Sequence, residues 1–329
     1  MSLSPILTSA AFAPIRNVGW IRITGSDRVR WLNGMVTNNI AALQPGEGCY
    51  NFFLNAQGRI QGDATAWMLE DSILLETAAD RIPALIAMLD HFIIMDDVEL
   101  ADITSQRVGL AIFGRKIAPV IDKFVLDHGA DLPSLQLSNF AWTRHNDLLL
   151  HADSPQLPRF EIWFEEIGDE YTLGGELSDA GILKATPEDL EQLRILSGTP
   201  LYGTDIRDKE LPQETAQTGA LHFTKGCYLG QEIVERIRSR GNVHRTFSGF
   251  ILTGELPTPG AVLSDQDKPA GELTSVTRIE LPTGPMQLAL GYIRREALES
   301  TKARGTSITY PGGTATPTAL PFQLPESRA

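Results

Sequence analysis

The chain has 329 residues and a formal net charge of −13, from 28 Lys and Arg against 41 Asp and Glu. That length supports two or three domains with ample core. The acidic balance excludes broad, non-specific nucleic-acid binding, which needs a basic face, and no apolar run approaches the ~20 residues of a membrane helix. Only two cysteines are present, too few for a disulfide framework, which favours a reducing cytoplasm. Met1–Ile6 has no basic segment, so no secretory signal is expected.

In chain order, Gly19–Gly25 reads as a strand bounded by glycines. Val29, Leu32, Val36 and Ile40 then fall on one face of a predicted helix, with Ser26 as its N-cap. Asn51–Leu54 and Asp63–Leu69 predict strands around the Asn55-Ala56-Gln57-Gly58 turn, and Ser72–Glu76 a further strand. A helix follows with Leu85, Leu89 and Phe92 on one face. A second unit echoes the first: strand Arg107–Gly114, then a helix carrying Ile117, Val120, Ile121 and Phe124, then strand Phe160–Phe164. Thr186, Pro187 and Asp189 form a helix-start signal, and Gly198 a stop.

After residue 245 the pattern changes. Short apolar runs alternate with Pro and Gly turns at Phe247–Leu252, Ala261–Ser264, Gly271–Ile279, Leu288–Ile293, Ser307–Tyr310 and Ala315–Leu320, with no long helix pattern. This predicts a small C-terminal β-barrel or sandwich over 246–329 behind an α+β region over 1–245.

Lys225-Gly226-Cys227-Tyr228-Leu229-Gly230-Gln231-Glu232 carries the most chemistry. Cys227 stands between two glycines on a predicted turn that feeds an amphipathic helix, with Ile233 and Ile237 at helical spacing. A helix N-terminus and the Lys225 ammonium would both favour a thiolate there. Cys49, beside Tyr50, Phe52 and Phe53, reads as inert core. Arg236, Arg238, Arg240, His244 and Arg245 follow as a basic run on an acidic chain, and read as a docking site for an anion. With two cysteines and scattered histidines no metal site is expected, and a [4Fe–4S] cluster, which takes four thiolates, cannot be held by this chain alone.

The block resembles the signature of the YgfZ proteins, folate-binding relatives of the glycine-cleavage T-protein (aminomethyltransferase). Further matches are Gly25-Ser26-Asp27, Trp31-Leu32, Thr37-Asn38, Gly58-Arg59-Ile60, Gly271-Glu272-Leu273-Thr274-Ser275 and Leu288-Ala289-Leu290-Gly291-Tyr292, so the likeness spans nearly the whole chain. It implies a GcvT-like fold, with ferredoxin-like α/β subdomains, interleaved in the first 245 residues, ahead of the barrel. It also implies a tetrahydrofolate cofactor.

A pterin offers a donor pair to a carboxylate, and a glutamate tail wants Arg or Lys. The candidate carboxylates are Asp205 and Glu214, and the candidate cations Lys225 and Arg236. Gly226, Tyr228, Gly230, Gln231 and Glu232 complete the expected folate-binding set, with Cys227 as the functional thiol. Two positions depart from the aminomethyltransferases: Gly62 replaces one acid of an Asp-Asp pair, and Leu196 replaces a Glu that contacts the pterin. The expectation is therefore a cytoplasmic, folate-binding accessory factor for iron–sulfur cluster assembly or repair and iron–sulfur-dependent tRNA modification. Its expected partners are iron–sulfur proteins or assembly factors, with no membrane and no stable nucleic-acid binding. The alternative is a tetrahydrofolate-dependent one-carbon transferase.

Overall fold

A computed structural model describes residues 3–121, 140–144, 147–152, 157–165, 168–241 and 243–324. The first sheet contains β2 (Val18–Thr24), β3 (Gly48–Leu54), β4 (Ile60–Met68), β5 (Ile73–Ala78) and β6 (Glu99–Asp102), in the order β3-β4-β5-β2-β6. Strand alternation puts Ile21, Ile23, Phe53, Ala64, Ala66, Ile73 and Leu75 into one core, where they meet Leu32 of α2 (Arg28–Met35) and Leu85 and Leu89 of α3 (Ile82–Asp90).

The second sheet contains β1 (Ala10–Ile15), β7 (Val108–Gly114), β8 (Phe140–Arg144), β9 (Asp147–Ala152), β10 (Arg159–Phe164) and β11 (Leu183–Lys184), in the order β11-β1-β7-β10-β9-β8. The N-terminal strand thus belongs to the later sheet, pairing Ala11 with Phe113 and, in parallel, with Leu183. Helix α1 (Ser4–Thr8) precedes it, and α4 (Asp169–Asp179) packs Leu177 against Phe12, Leu110 and Ile112. The two sheets share a motif. Gly48 stands opposite Trp67 and Gly109 opposite Trp163, and each indole lies where a Cβ would otherwise project.

Six strands close the C-terminal barrel: β12 (Arg245–Gly254), β13 (Val262–Asp265), β14 (Lys268–Leu281), β15 (Gly284–Arg294), β16 (Ile308–Tyr310) and β17 (Gly313–Thr318). Closure leaves no open edge. Helix α5 (Pro187–Ser197) carries the predicted capping box. The Thr186 hydroxyl accepts from Asp189 N at 3.2 Å, Thr186 N donates to Asp189 Oδ2 at 2.8 Å, and Gly198 ends the helix at φ 71°. Helix α6 (Gln231–Arg240) follows the cysteine turn and α7 (Arg295–Arg304) follows β15. The expected α+β architecture and closed C-terminal barrel are both present.

Four expectations need correction. Helix α2 stops at Met35, so Val36 is extended and bridges to Phe53, while Ile40 opens a 3-10 turn. Ser26 does not cap α2; its hydroxyl donates to Asp97 Oδ2 at 2.8 Å instead. Phe92 lies beyond the end of α3 at Asp90. Helix α7 was not predicted because its buried stripe is carried by Ala297 and Thr301, too small and too polar to register as an apolar face. Of the helix predicted to carry Ile117, Val120, Ile121 and Phe124, Ile117 and Ile121 are buried, and Phe124 lies outside the described residues.

Candidate functional site

The cysteine segment is held rigidly against the first sheet. His222 N donates to Thr37 O at 3.0 Å, the Thr37 hydroxyl to Ala220 O at 2.6 Å, and Leu229 N to Gly34 O at 3.1 Å. Gly230, at φ 82°, passes so close to the Asn55–Gly58 turn that an added Cβ would sit 2.6 Å from Asn55 O. That turn in turn seats α6, since a Cβ on Gly58 would sit 2.7 Å from Ile233 Cβ. Tyr228 is buried with Phe52, Leu54, Ile60, Tyr202, Ile206 and Val234. Gln231 accepts from Tyr228 N at 3.3 Å, and Glu232 and Arg236 are exposed.

Cys227 is exposed on this fixed loop. The helix it precedes begins only at Gln231, so the thiol is not among the first-turn N–H groups. Lys225 does not turn to it either. Its buried ammonium donates to Val36 O at 2.7 Å and to Asn38 O, and lies over the Tyr228 ring at 5.1 Å. Burial lowers its pKa to about 8, and the thiol that shares its field is Cys49. Cys49 is half-buried, takes a contact from Asn51 Nδ2 at 3.4 Å, and burial raises its pKa. Iodoacetamide at pH 7.5 is therefore expected to modify Cys227 first and Cys49 slowly. Cys227→Ser should change stability by less than about 0.5 kcal/mol, as for other exposed positions. Faster alkylation of Cys49, or a large loss in urea denaturation, would contradict this placement.

The basic run divides. Arg236 and Arg238 stay on α6, where Arg238 covers the Phe223 ring at 4.5 Å and pairs with Glu235 at 3.5 Å. Arg245 turns inward to the mouth of the barrel. There it meets Glu210 at 3.1 Å, Glu214 at 3.3 Å and Glu272 at 3.8 Å, while Arg207 pairs with Glu210 at 3.2 Å and with Glu272. Glu214 is thus committed, and its carboxylate also accepts from Leu211 N at 3.0 Å. Asp205 is fully buried. It accepts from Arg194 at 2.7 Å, Leu201 N at 2.9 Å, Ser275 at 2.8 Å and the Thr274 hydroxyl. Both acids expected to face a pterin have their lone pairs on protein donors and tie the 201–214 segment to the barrel.

Between these ties, side chains from the first sheet, the loop after α5 and the barrel gather around a recess at Asp63. Tyr50 of β3 donates to Asp63 Oδ2 of β4 at 2.6 Å. Arg81, which follows β5, lies over the Tyr202 ring at 4.8 Å and 3.9 Å from Asp208, to which the Tyr202 hydroxyl donates. Tyr292 of β15, under Arg245 at 4.6 Å, is buried with no partner for its hydroxyl among the described residues. Tyr50 interacts electrostatically with both Tyr202 and Tyr292, and burial together with the neighbouring Asp63 raises its own pKa. Burial raises the Asp63 pKa to about 6, partly offset by the Tyr50 hydrogen bond and by Arg81. Asp63 is partly accessible.

Asp63 thus holds a proton in the folded state between its ordinary pKa of 3.8 and about 6. Its contribution to stability is fully present below 3.8 and is lost as pH rises through about 6. At pH 7 the ionised form is a cost, so Asp63→Asn is expected to raise stability by about 1–3 kcal/mol there. The gain should vanish at pH 4, which thermal melts at the two pH values will check.

The recess was only partly legible in the sequence. Asp63 was noticed for its missing neighbour rather than for itself. Tyr50, Arg81, Tyr202, Asp208 and Tyr292 carry no spacing that joins them, because strand pairing and barrel closure bring them together. The Gly62 departure also reads differently in three dimensions. A Cβ there would meet Leu85 at 3.7 Å and Phe53 at 3.8 Å, on the core face of β4, whereas Asp63 points into the recess.

Comparison with known proteins places the fold in a class. The model of the GCVT N-terminal domain matches residues 5–149. Aminomethyltransferase T of the glycine cleavage system from Bartonella henselae superposes with a TM-score of 0.81 at 23% identity, over 96% of this chain and 87% of that one. The fold is therefore GcvT-like, with mixed α/β sheets and a closed C-terminal barrel. Among curated proteins, a chloroplastic transferase-like protein of Arabidopsis thaliana is 28% identical over 295 residues, 86% of this chain and 65% of its own length. The aminomethyltransferase of a Nostoc species is 25% identical over 88% of this chain and 78% of its own. The tRNA-modifying protein YgfZ of Hamiltonella defensa is 26% identical over 75% of this chain and 72% of its own. No helix of the described residues is long and apolar enough to cross a membrane.

Proposed function

We propose that this chain is a folate-binding accessory protein that supports iron–sulfur cluster assembly or repair and iron–sulfur-dependent tRNA modification, with Cys227 as its working thiol. The carrying observation is an exposed Cys227 on a segment fixed by Thr37, Gly34 and Asn55, within a block that matches the YgfZ signature. A rigid, exposed thiol suits exchange with a partner protein. The similarity to a tRNA-modifying protein supports the same reading.

The recess offers groups suited to a reduced folate. Tyr50, Tyr202 and Tyr292 supply aromatic groups, the buried Tyr292 hydroxyl has no partner among the described residues, and Asp63 is a partly accessible acid. Arg81 would meet an anionic or carbonyl group of the ligand. Folate bound there supplies one-carbon chemistry at its ring nitrogens, and Asp63 with Tyr50 can hold or pass a proton beside it.

The test has two arms. Titration calorimetry with tetrahydrofolate should give binding that weakens in Tyr292→Phe and Asp63→Ala. A strain lacking the protein should lose iron–sulfur enzyme activity, which wild type restores and Cys227→Ala does not. No heat with mono- or polyglutamylated folate would end the folate reading, and full rescue by Cys227→Ala would end the thiol reading.

A second reading, a tetrahydrofolate-dependent one-carbon transferase, draws support from one observation. The acid kept from the pair is the one that faces the recess, and its pKa is raised to about 6. Methylenetetrahydrofolate formation with glycine-cleavage carrier protein, lost in Asp63→Asn, would favour it. The fully buried Leu196, in place of a pterin-contacting Glu, weighs against it.

A further inference from the structure

The layer between the two sheets contains a pair of carboxyl groups that the recess does not use. Glu76 of β5 stands directly across from Trp20 of β2, and Trp20 meets Trp163 of β10 edge-on, with ring centroids 5.0 Å apart. Glu161 lies two residues before Trp163 and so on the same face of β10. The two acids therefore face one another across the tryptophan cluster of Trp20, Trp67 and Trp163. Each accepts an indole N–H: Trp67 donates to Glu76 at 2.9 Å and Trp163 to Glu161 at 3.1 Å. One guanidinium serves both, and it sides with Glu161, at 2.6 Å from Arg159. Glu76 has no cation of its own among the described residues, and Thr77 and Trp20 beside it each keep an unpaired polar atom. The next charges are Glu165, just past the end of β10, and Arg107, just before β7, 3.6 Å apart and paired with each other.

We propose that this layer is a proton-controlled joint: Glu76 and Glu161 together hold one proton while the two sheets are docked, and its loss loosens the contact between them. Glu161 is buried and Glu76 half-buried, and two carboxylates sharing one guanidinium there cannot both ionise without a penalty. The protonated member is Glu76, whose pKa burial and the Glu161 charge raise from 4.5 to about 8. With the folded pKa above the unfolded one, the contribution is fully present below 4.5 and is lost as pH rises through about 8. The joint also touches the recess by chain connection, because the chain runs from Glu76 of β5 through one 3-10 turn to Arg81.

The full-length protein tests this by thermal melting and near-ultraviolet circular dichroism of its tryptophans between pH 6 and 10, as an order-of-magnitude bracket on that pKa. Wild type should lose melting temperature and tryptophan signal across the window relative to Glu76→Gln, which keeps the Trp67 hydrogen bond but has no proton to lose. Lys225 also titrates near there, with opposite sign because its pKa is lowered, but it is common to both proteins. Glu161→Gln should retain the transition with its midpoint moved down by at least about one pH unit, since the like charge is gone and Arg159 is freed. Infrared spectroscopy of the wild type at neutral pH should show a protonated-carboxyl stretch that Glu76→Gln lacks. Parallel pH profiles for wild type and Glu76→Gln, or no protonated carboxyl in the wild type, would overturn the proposal. Should Glu76→Gln fail to fold, the Glu161→Gln midpoint and the wild-type infrared band still decide it.

Discussion

Asp205→Ala is expected to cost about 3–5 kcal/mol of stability, the range for removing one partner of a buried ion pair. The loss follows from what is left behind. Arg194 keeps its charge near the barrel with its buried partner gone, Leu201 N loses its acceptor, and the Thr274 and Ser275 hydroxyls lose theirs. Asp205→Asn should recover part of the loss, because the amide oxygen still accepts while the charge attraction is gone. Urea denaturation of wild type and both variants measures this. If Asp205→Ala unfolds with an unchanged midpoint but loses folate affinity, the carboxylate is a ligand contact and not a tie between the 201–214 segment and the barrel.

The second large effect is expected at Gly230. Alanine there must hold φ near 82° and place its Cβ 2.6 Å from Asn55 O and 2.9 Å from Leu54 Cβ. The left-handed backbone and the displaced turn together should cost about 2–4 kcal/mol. Gly226, four residues before Gly230 and next to Cys227, is the control. It has no positive φ, and a Cβ would meet nothing within 4 Å, so Gly226→Ala should be close to neutral. Hydrogen exchange will report the difference: Gly230→Ala should expose the amides of His222 and Leu229 while the barrel strands stay protected. Equal effects at the two glycines would mean that the cysteine segment is not anchored through the Asn55–Gly58 turn.

These glycines show what a sequence can and cannot convey. Both flank the cysteine and read alike, since the spacing signals an open turn without saying which residue bears the strain. The α5 capping box was legible because every partner lies within four residues. The barrel strands were legible because turn residues punctuate alternating apolar runs. Lys225 was misread for the opposite reason. Its neighbour in sequence is Cys227, but its hydrogen-bond acceptors, Val36 and Asn38, lie about 190 residues earlier in the chain, and nothing local announces them. Asp205 and Glu214 were expected to serve a ligand because they flank the cysteine block. Their commitment to Arg194 and Arg245 appears only once the barrel closes onto α5 and the 201–214 segment. The recess is legible least of all, since its six side chains come from β3, β4, the end of β5, the loop after α5 and the barrel.

The placement of β1 has a bearing on how the chain is made. Ala11 leaves the ribosome well before its sheet partners, Phe113 and Leu183. The first sheet, by contrast, draws all its strands from one continuous stretch, residues 18–102. During synthesis that stretch can complete its ladder while the N-terminal strand still waits for a partner. The waiting strand, with Ala10, Ala11, Phe12 and Ala13 all destined for burial, is an exposed apolar segment for as long as translation takes to reach β7. Non-local pairing of this kind slows folding and leaves an unpaired edge open to misassociation. A nascent chain halted before residue 108 should therefore bind holdase chaperones through residues 10–15, and one released after residue 184 should not.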